Sequence, residues 1–368
     1  MAVMATSRPL LRWALPAVVT VAVVGGGAAT AAIRASADAS LPPRSAAQLL
    51  VDVQTANTTG LSGTVVERAD LGLPNLPSTG GNGGSGFNSL ITGSHTLRVW
   101  YAGPDKARVA LLDTLGESDL IRNGTEVWAW SSRDNTATHR TVQRDEHAAP
   151  DATGTPLTPQ QAADRALAAL DPTTTVSTGT SARVAGRAAY ELVLAPRDTS
   201  SLLNQVRIAI DGQRHVPLRV QVYAKDSASP VGEIGFTQVS FARPDDAQFR
   251  FTPPPGAKVT EGGGGTPDRT GRPAAQPVMI GTGWTTVAVT HLPADALPGP
   301  DATGSPRGEQ NPLGQVLGSL PRVGGAWGSG RLLTSKAFSA LLTDDGRMLI
   351  GAVTPDRLYA AAADPRAK

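Results

Sequence analysis

The residues in this sequence that could do chemistry are scattered. His95, His139, His147, His215 and His291 are the five histidines, and none shares an HExxH helix or another paired-ligand spacing; no metal site is expected. No G-x-S-x-G elbow is present to carry a nucleophilic serine. Cysteine is absent, which excludes thiolate metal sites, cysteine nucleophiles, disulfides and a lipid-modified cysteine. Asp113, Glu117 and Asp119 gather near a turn. A carboxylate pair acts as acid and base only when burial separates the two pKa values, and this position predicts solvated side chains. Asp344-Asp345-Gly346 lacks the further ligands of a calcium loop and reads as a hairpin turn. The stretch Gly80 to Gly86 has no closing Lys-Ser/Thr and reads as a loop, not a phosphate cradle. The expectation is a protein that is not an enzyme and uses no cofactor.

What remains is apolar surface. Trp100, Trp128 and Trp130 fall on neighbouring strands of a chain with six tryptophans. They can stack across strands inside a core or form one wall of an apolar pocket. Strand alternation sets Leu97, Val99, Val109, Leu111, Val127 and Ala129 on a shared face. These eight candidates, counting Trp128 and Trp130 but not Trp100, are expected to line a dry cavity for acyl chains. Each buried CH₂ there contributes about 0.8 kcal/mol.

The elements that would position them are mostly strands. Ser45 to Gln48 has the pattern of a capping box that opens a helix, with Leu49, Leu50 and Val53 on one side and Gly60 as its stop. Alternation then predicts strands at 61–69, 94–102, 106–113, 118–122, 126–131 and 138–143. Thr158, Pro159 and Gln161 open a second helix that runs to Leu170. Further strands are predicted at 182–185, 189–195, 205–211, 217–224 and 232–242. Short turns between successive strands, such as Asn123-Gly124, force antiparallel pairing. The fold class is mainly β (α+β): a curved antiparallel sheet whose two helices leave part of an apolar face open.

Residues 45–257 form the large domain, 258–277 a Gly/Pro-rich linker and 278–365 a small α+β module. The module is predicted to hold a strand at 284–292, a short helix at 312–320, a hairpin of 332–343 with 347–353, and a closing helix from Pro355. Residues 1–39 read as a signal peptide or signal anchor: Arg8 and Arg12 precede an uncharged run from Trp13 to Ile33, and Ala37-Asp38-Ala39 fits a cleavage site. The run is long enough to be transmembrane, and either way the remainder lies outside the cytoplasm. That segment holds three arginines and one aspartate, so the rest carries 30 basic and 30 acidic residues. A neutral chain offers no electrostatic footprint for nucleic acid.

The order helix, sheet, inserted helix, sheet resembles the LolA/LolB lipoprotein-carrier superfamily. The segments that carry the resemblance are Leu61 to Val66, His95 to Trp130, and Val184-Ala185-Gly186-Arg187-Ala188-Ala189-Tyr190-Glu191-Leu192. The last, with Ile208 to Asp211 and Val216 to Arg219, is also similar to the MucB/RseB regulators. Phe249 to Gly256 resembles the end of that domain. Trp284 to Pro293, Phe338 to Thr343 and Gly351 to Pro355 look like the small second domain of RseB-like proteins, although the Gly/Pro-rich stretch between them departs from the pattern. The resemblance implies an unclosed β-barrel with a helical lid and an apolar cavity. It implies an extracytoplasmic carrier or chaperone for lipid or lipoprotein acyl chains, with no cofactor. The alternative is an envelope-stress regulator whose partner is a membrane anti-sigma factor.

Overall fold

The computed structural model describes residues 41–73, 93–114, 116–142, 172–262, 277–291 and 320–367. The N-terminal segment, the helix expected at 158–170, the loop at 80–86 and nearly all of the helix expected at 312–320 lie outside these residues. No helix among the described residues is long and apolar enough to cross a membrane.

Helix α1 (Ala46–Thr55) starts as its sequence dictates. Ser45 Oγ accepts from Gln48 N at 3.2 Å, and Gln48 Oε1 accepts from Ser45 N at 2.9 Å. Such caps contribute about 1 kcal/mol. The helix stops at Thr55, short of Gly60. Gly60 instead sits so close to the Arg243 backbone that a Cβ would collide with it.

Thirteen strands form the large sheet. The first six, β1 (Leu61–Ala69), β2 (Gly93–Tyr101), β3 (Lys106–Asp113), β4 (Gly116–Asn123), β5 (Glu126–Ser131) and β6 (Thr136–Thr141), pair in sequence as an antiparallel meander. A second meander runs through β9 (Arg187–Pro196), β10 (Leu203–Asp211), β11 (Pro217–Ala224) and β12 (Gly232–Ser240). Its last strand returns to pair with β1, with Val65 opposite Phe236 and Glu67 opposite Ile234. Two short strands, β7 (Thr174–Thr178) and β8 (Ala182–Val184), both pair with β9. β7 escaped the sequence reading because Thr174-Thr175-Val176-Ser177-Thr178 has one apolar residue and no visible alternation. β13 (Lys258–Glu261) lies parallel to β6. These four residues, read as the start of a linker, are therefore an edge strand of the sheet.

Six strands form a smaller sheet: β14 (Val278–Ile280), β15 (Val287–His291), β16 (Arg322–Gly325), β17 (Gly328–Thr334), β18 (Ser339–Thr343) and β19 (Arg347–Gly351), closed by helix α2 (Pro355–Ala363). The arm expected at 332–343 is two strands, because Ser335 N and Phe338 O bond to each other and turn the chain at Lys336. The turn at Asp344-Asp345-Gly346 forms as expected, with Gly346 at φ 88°. Leu341, Leu349, Val287, Val289 and Leu358 fill the core of this module.

Candidate functional site

Alternation and register divide the large sheet into two faces. One carries α1: Leu49 and Leu50 pack on Tyr190, Leu192 and Ile210, with Ile208, Leu194 and Val176 beside them. The helix is held at its start by Tyr190, whose hydroxyl donates to Pro42 O at 2.8 Å. Following this helix face across the sheet leads from Val65 to Leu97, from Leu97 to Leu111, and from Val99 to Val109. Val65, Leu97 and Leu111 are buried and gather Val99, Val109, Ile234 and Phe236 around them.

The same face continues outward and opens. Val109 stands opposite Leu120, and Leu120 opposite Ala129. Leu120 is 46% exposed, Ala129 is exposed and Val127 half-buried. The helix face thus grades from a packed core at β1–β3 to accessible apolar surface at β4–β5. Leu120 belongs to this surface but was missed; its signal was its place opposite Val109, which only the pairing of β3 with β4 reveals.

Glu67 lies on the same face, opposite Ile234 and His95. It is buried, and desolvation pushes its carboxyl up to about 8. At neutral pH this acid is mostly uncharged, so it does not place a full negative charge among the valines and leucines.

The eight predicted cavity residues do not share one wall. Leu97, Val99, Val109 and Leu111 come together, and Val127 and Ala129 extend their face. Trp128 and Trp130 point the other way, because successive strand residues alternate. They pack under Phe251, at ring centroid distances of 5.2 and 5.7 Å, and Trp128 stacks on His139 at 4.3 Å. A 3-10 turn at Asp246–Phe249 and the chain after it cover this opposite face, with Phe249 buried.

The acidic cluster also differs from expectation. Asp119 is buried on the opposite face and accepts from Arg108 Nε at 2.8 Å. Arg108 reaches Glu117 at 3.3 Å and lies over the Trp100 ring at 5.2 Å. Burial, then the charge of Asp119, raises the Glu117 carboxyl. An open cavity of about 520 Å³ borders this group, with Leu112, Trp130 and Phe251. Arg108 engages both carboxylates, which ties the group into a salt-bridge network. No cluster of three or more metal-ligating side chains occurs among the described residues.

Residues 90–254 match the family model of the MucB/RseB N-terminal domain. No curated protein matches the chain at a significant level. Among solved structures, MucB of Pseudomonas aeruginosa in complex with MucA is similar at 16% identity, over 86% of this chain and 96% of that one, with a TM-score of 0.44. An uncharacterized conserved protein from Thermus thermophilus is similar at 15% identity, over 58% and 97%, with a TM-score of 0.34. A LolA-superfamily protein from Nitrosomonas europaea is similar at 9% identity, over 57% and 99%, with a TM-score of 0.22. Over residues 90–254 the large sheet is MucB/RseB-like.

Proposed function

We propose that the chain is an extracytoplasmic, non-enzymatic binding protein that shelters acyl chains of a lipid or lipoprotein on the helix face of its large sheet. The observation that carries this reading is the apolar face itself. It runs from the buried trio Val65, Leu97 and Leu111 to Leu120, which is left about half exposed. A hydrocarbon laid along β4 and β5 would extend the existing core without displacing it, and each CH₂ removed from water contributes about 0.8 kcal/mol. Polar recognition is not needed for such a ligand.

A second reading is a regulator that couples ligand binding to a membrane partner. It is favoured by the match of residues 90–254 to the MucB/RseB domain and by a second module docked through main-chain bonds between Ser200–Leu202 and Ala352–Thr354. Placement outside the cytoplasm, with residues 1–39 as signal or anchor, belongs to both readings.

The test is extraction of purified protein followed by lipid mass spectrometry, paired with titration of a fluorescent fatty acid. Leu120→Asp is expected to weaken probe binding at least about tenfold, since a charge replaces apolar contact surface. Its melting temperature should stay within a few degrees of the parent, because the side chain is already half in water. Unchanged probe affinity in this variant, with no co-purified lipid, would remove the acyl-binding reading.

A further inference from the structure

We propose that a pocket on the opposite face, beneath the β8–β9 turn, is an oxyanion site suited to a phosphate group. It stands whether or not the helix face holds acyl chains.

Its floor is set by register. In one row Val66 of β1, Gly235 of β12 and Arg219 of β11 lie side by side; in the next row lie Arg68, Glu233 and Gln221. Gly235 leaves the middle of the first row empty, and the Arg219 stem lies across the gap. A Cβ at Gly235 would stand 3.0 Å from Arg219 Cγ. The roof is β8 and its turn. Ala185 and Gly186 take φ of 49° and 77°, so the chain reverses tightly. Arg183 NH1 donates to Gly186 O at 3.0 Å, which keeps its head group at the turn. The enclosed space is about 160 Å³, and its charged lining is Arg68, Arg183, Arg219 and Glu233.

The charges in this pocket do not balance. Glu233 is engaged by Arg68 at 3.3 Å and by the Gln221 amide. Arg219 is only 16% exposed and forms a long ion pair with Glu191 at 3.9 Å, beyond hydrogen-bond reach. Glu191 is also engaged by Arg207 at 3.4 Å. No hydrogen bond joins the Arg219 guanidinium to a described residue. Among the described residues, four guanidinium groups, those of Arg68, Arg183, Arg207 and Arg219, stand against two carboxylates, Glu191 and Glu233, which leaves two positive charges. A phosphate monoester carries about −1.5 to −2 at neutral pH and presents three acceptor oxygens. The planar fork of arginine matches such oxygens two at a time. A carboxylate would neutralise only one of the charges.

The phosphate can be a free ion or the head group of a lipid, and the experiment separates the two. The full-length protein is titrated with inorganic phosphate at constant ionic strength. It is also titrated with phosphatidylcholine vesicles containing about one-fifth phosphatidic acid. Arg219→Ala and Arg183→Ala are measured in parallel, the second because Arg183 is exposed and its loss leaves the core intact. Saturable phosphate binding that both substitutions weaken at least about tenfold, the effect of one lost charge-assisted bond, supports a site for the free ion. Vesicle binding that both substitutions weaken, without saturable phosphate binding, supports a head-group site. Absence of saturable binding in both arms, or equal affinity in parent and variants, would overturn the proposal.

Discussion

Single residues in this chain show how burial changes the meaning of a side chain. Asp119 looked like a solvated turn residue and is a buried ion-pair partner; Glu67 gave no sign of its place on an apolar face. Glu67 also makes stability depend on pH. Its carboxyl is raised from 4.5 to about 8 when folded, so the unfolded chain releases the proton first. The sign follows: stability is fullest below about pH 4.5 and falls as pH rises towards 8. Glu67→Gln removes this titration. The variant should exceed the parent by something on the order of 3 kcal/mol in urea unfolding at pH 8, and by little at pH 5. A difference that stays constant between the two pH values would show that Glu67 does not titrate in this way. Arg347 is the counterpart in the small module. It is buried, pairs with Asp345 at 2.8 Å and donates to Ala362 O at 2.9 Å, so it ties β19 to the end of α2. Its cost of burial is offset because its donors are used.

At the scale of elements, the least expected feature is β13. All four of its residues are exposed, so side-chain burial does not hold it to β6. Main-chain bonds do, from Lys258 N to Asn135 O at 2.9 Å and from Gly262 N to His139 O at 2.6 Å. His139 adds to these by bridging two strands: one ring nitrogen meets Glu126 of β5, and the other meets Glu261 of β13 at 2.8 Å. The charged groups facing the imidazole are these two carboxylates; the remaining neighbour is the Trp128 ring, and the Arg140 stem lies against Gly262. The bond to Glu126, then the bond to Glu261, raises the His139 pKa above 6.5. The stabilisation from this bridge is therefore complete below about pH 6.5 and lost as pH rises through the raised value. Amide protection factors over residues 258–262 should fall across that window, and Glu261→Gln should flatten the dependence. Protection that is independent of pH in the parent would refute the bridge as the source of docking. The short edge strand matters for solubility too, since it covers one border of a sheet that would otherwise offer a template for pairing.

For the whole molecule, the described residues join the two sheets at three places. Leu202 N donates to Ala352 O and Thr354 N to Ser200 O, both at 2.9 Å. Trp284 Nε1 donates to Thr174 Oγ1 at 2.7 Å. Lys336 reaches Asp70 at 2.6 Å through its amine and Leu71 O at 2.8 Å through its backbone. A fragment ending at Gly262 keeps β13 and the whole large sheet, so it is expected to melt cooperatively. Loss of these ties, each worth about 1 kcal/mol, should lower its midpoint by roughly 5–10 °C relative to the full chain. A non-cooperative melt would show that the large sheet is not an independent unit; an equal midpoint would show that docking adds nothing. The sequence by itself determined what is local. Ser45 and Gln48 close the cap, Asn123-Gly124 and Asp344-Asp345-Gly346 make hairpins, and alternation in β2 and β3 puts Leu97 and Leu111 on one face, because each of these depends on neighbours a few positions away. It also excluded thiol chemistry outright. Only the tertiary structure decided that β12 closes on β1, that β13 lies parallel on β6, that Leu120 extends the apolar surface, and that Arg68, Arg183 and Arg219 meet around Gly235. Those contacts join residues from about ten to more than a hundred and fifty positions apart. Long-range partners are chosen by which faces the completed sheet can bury together, a property no short stretch of sequence contains.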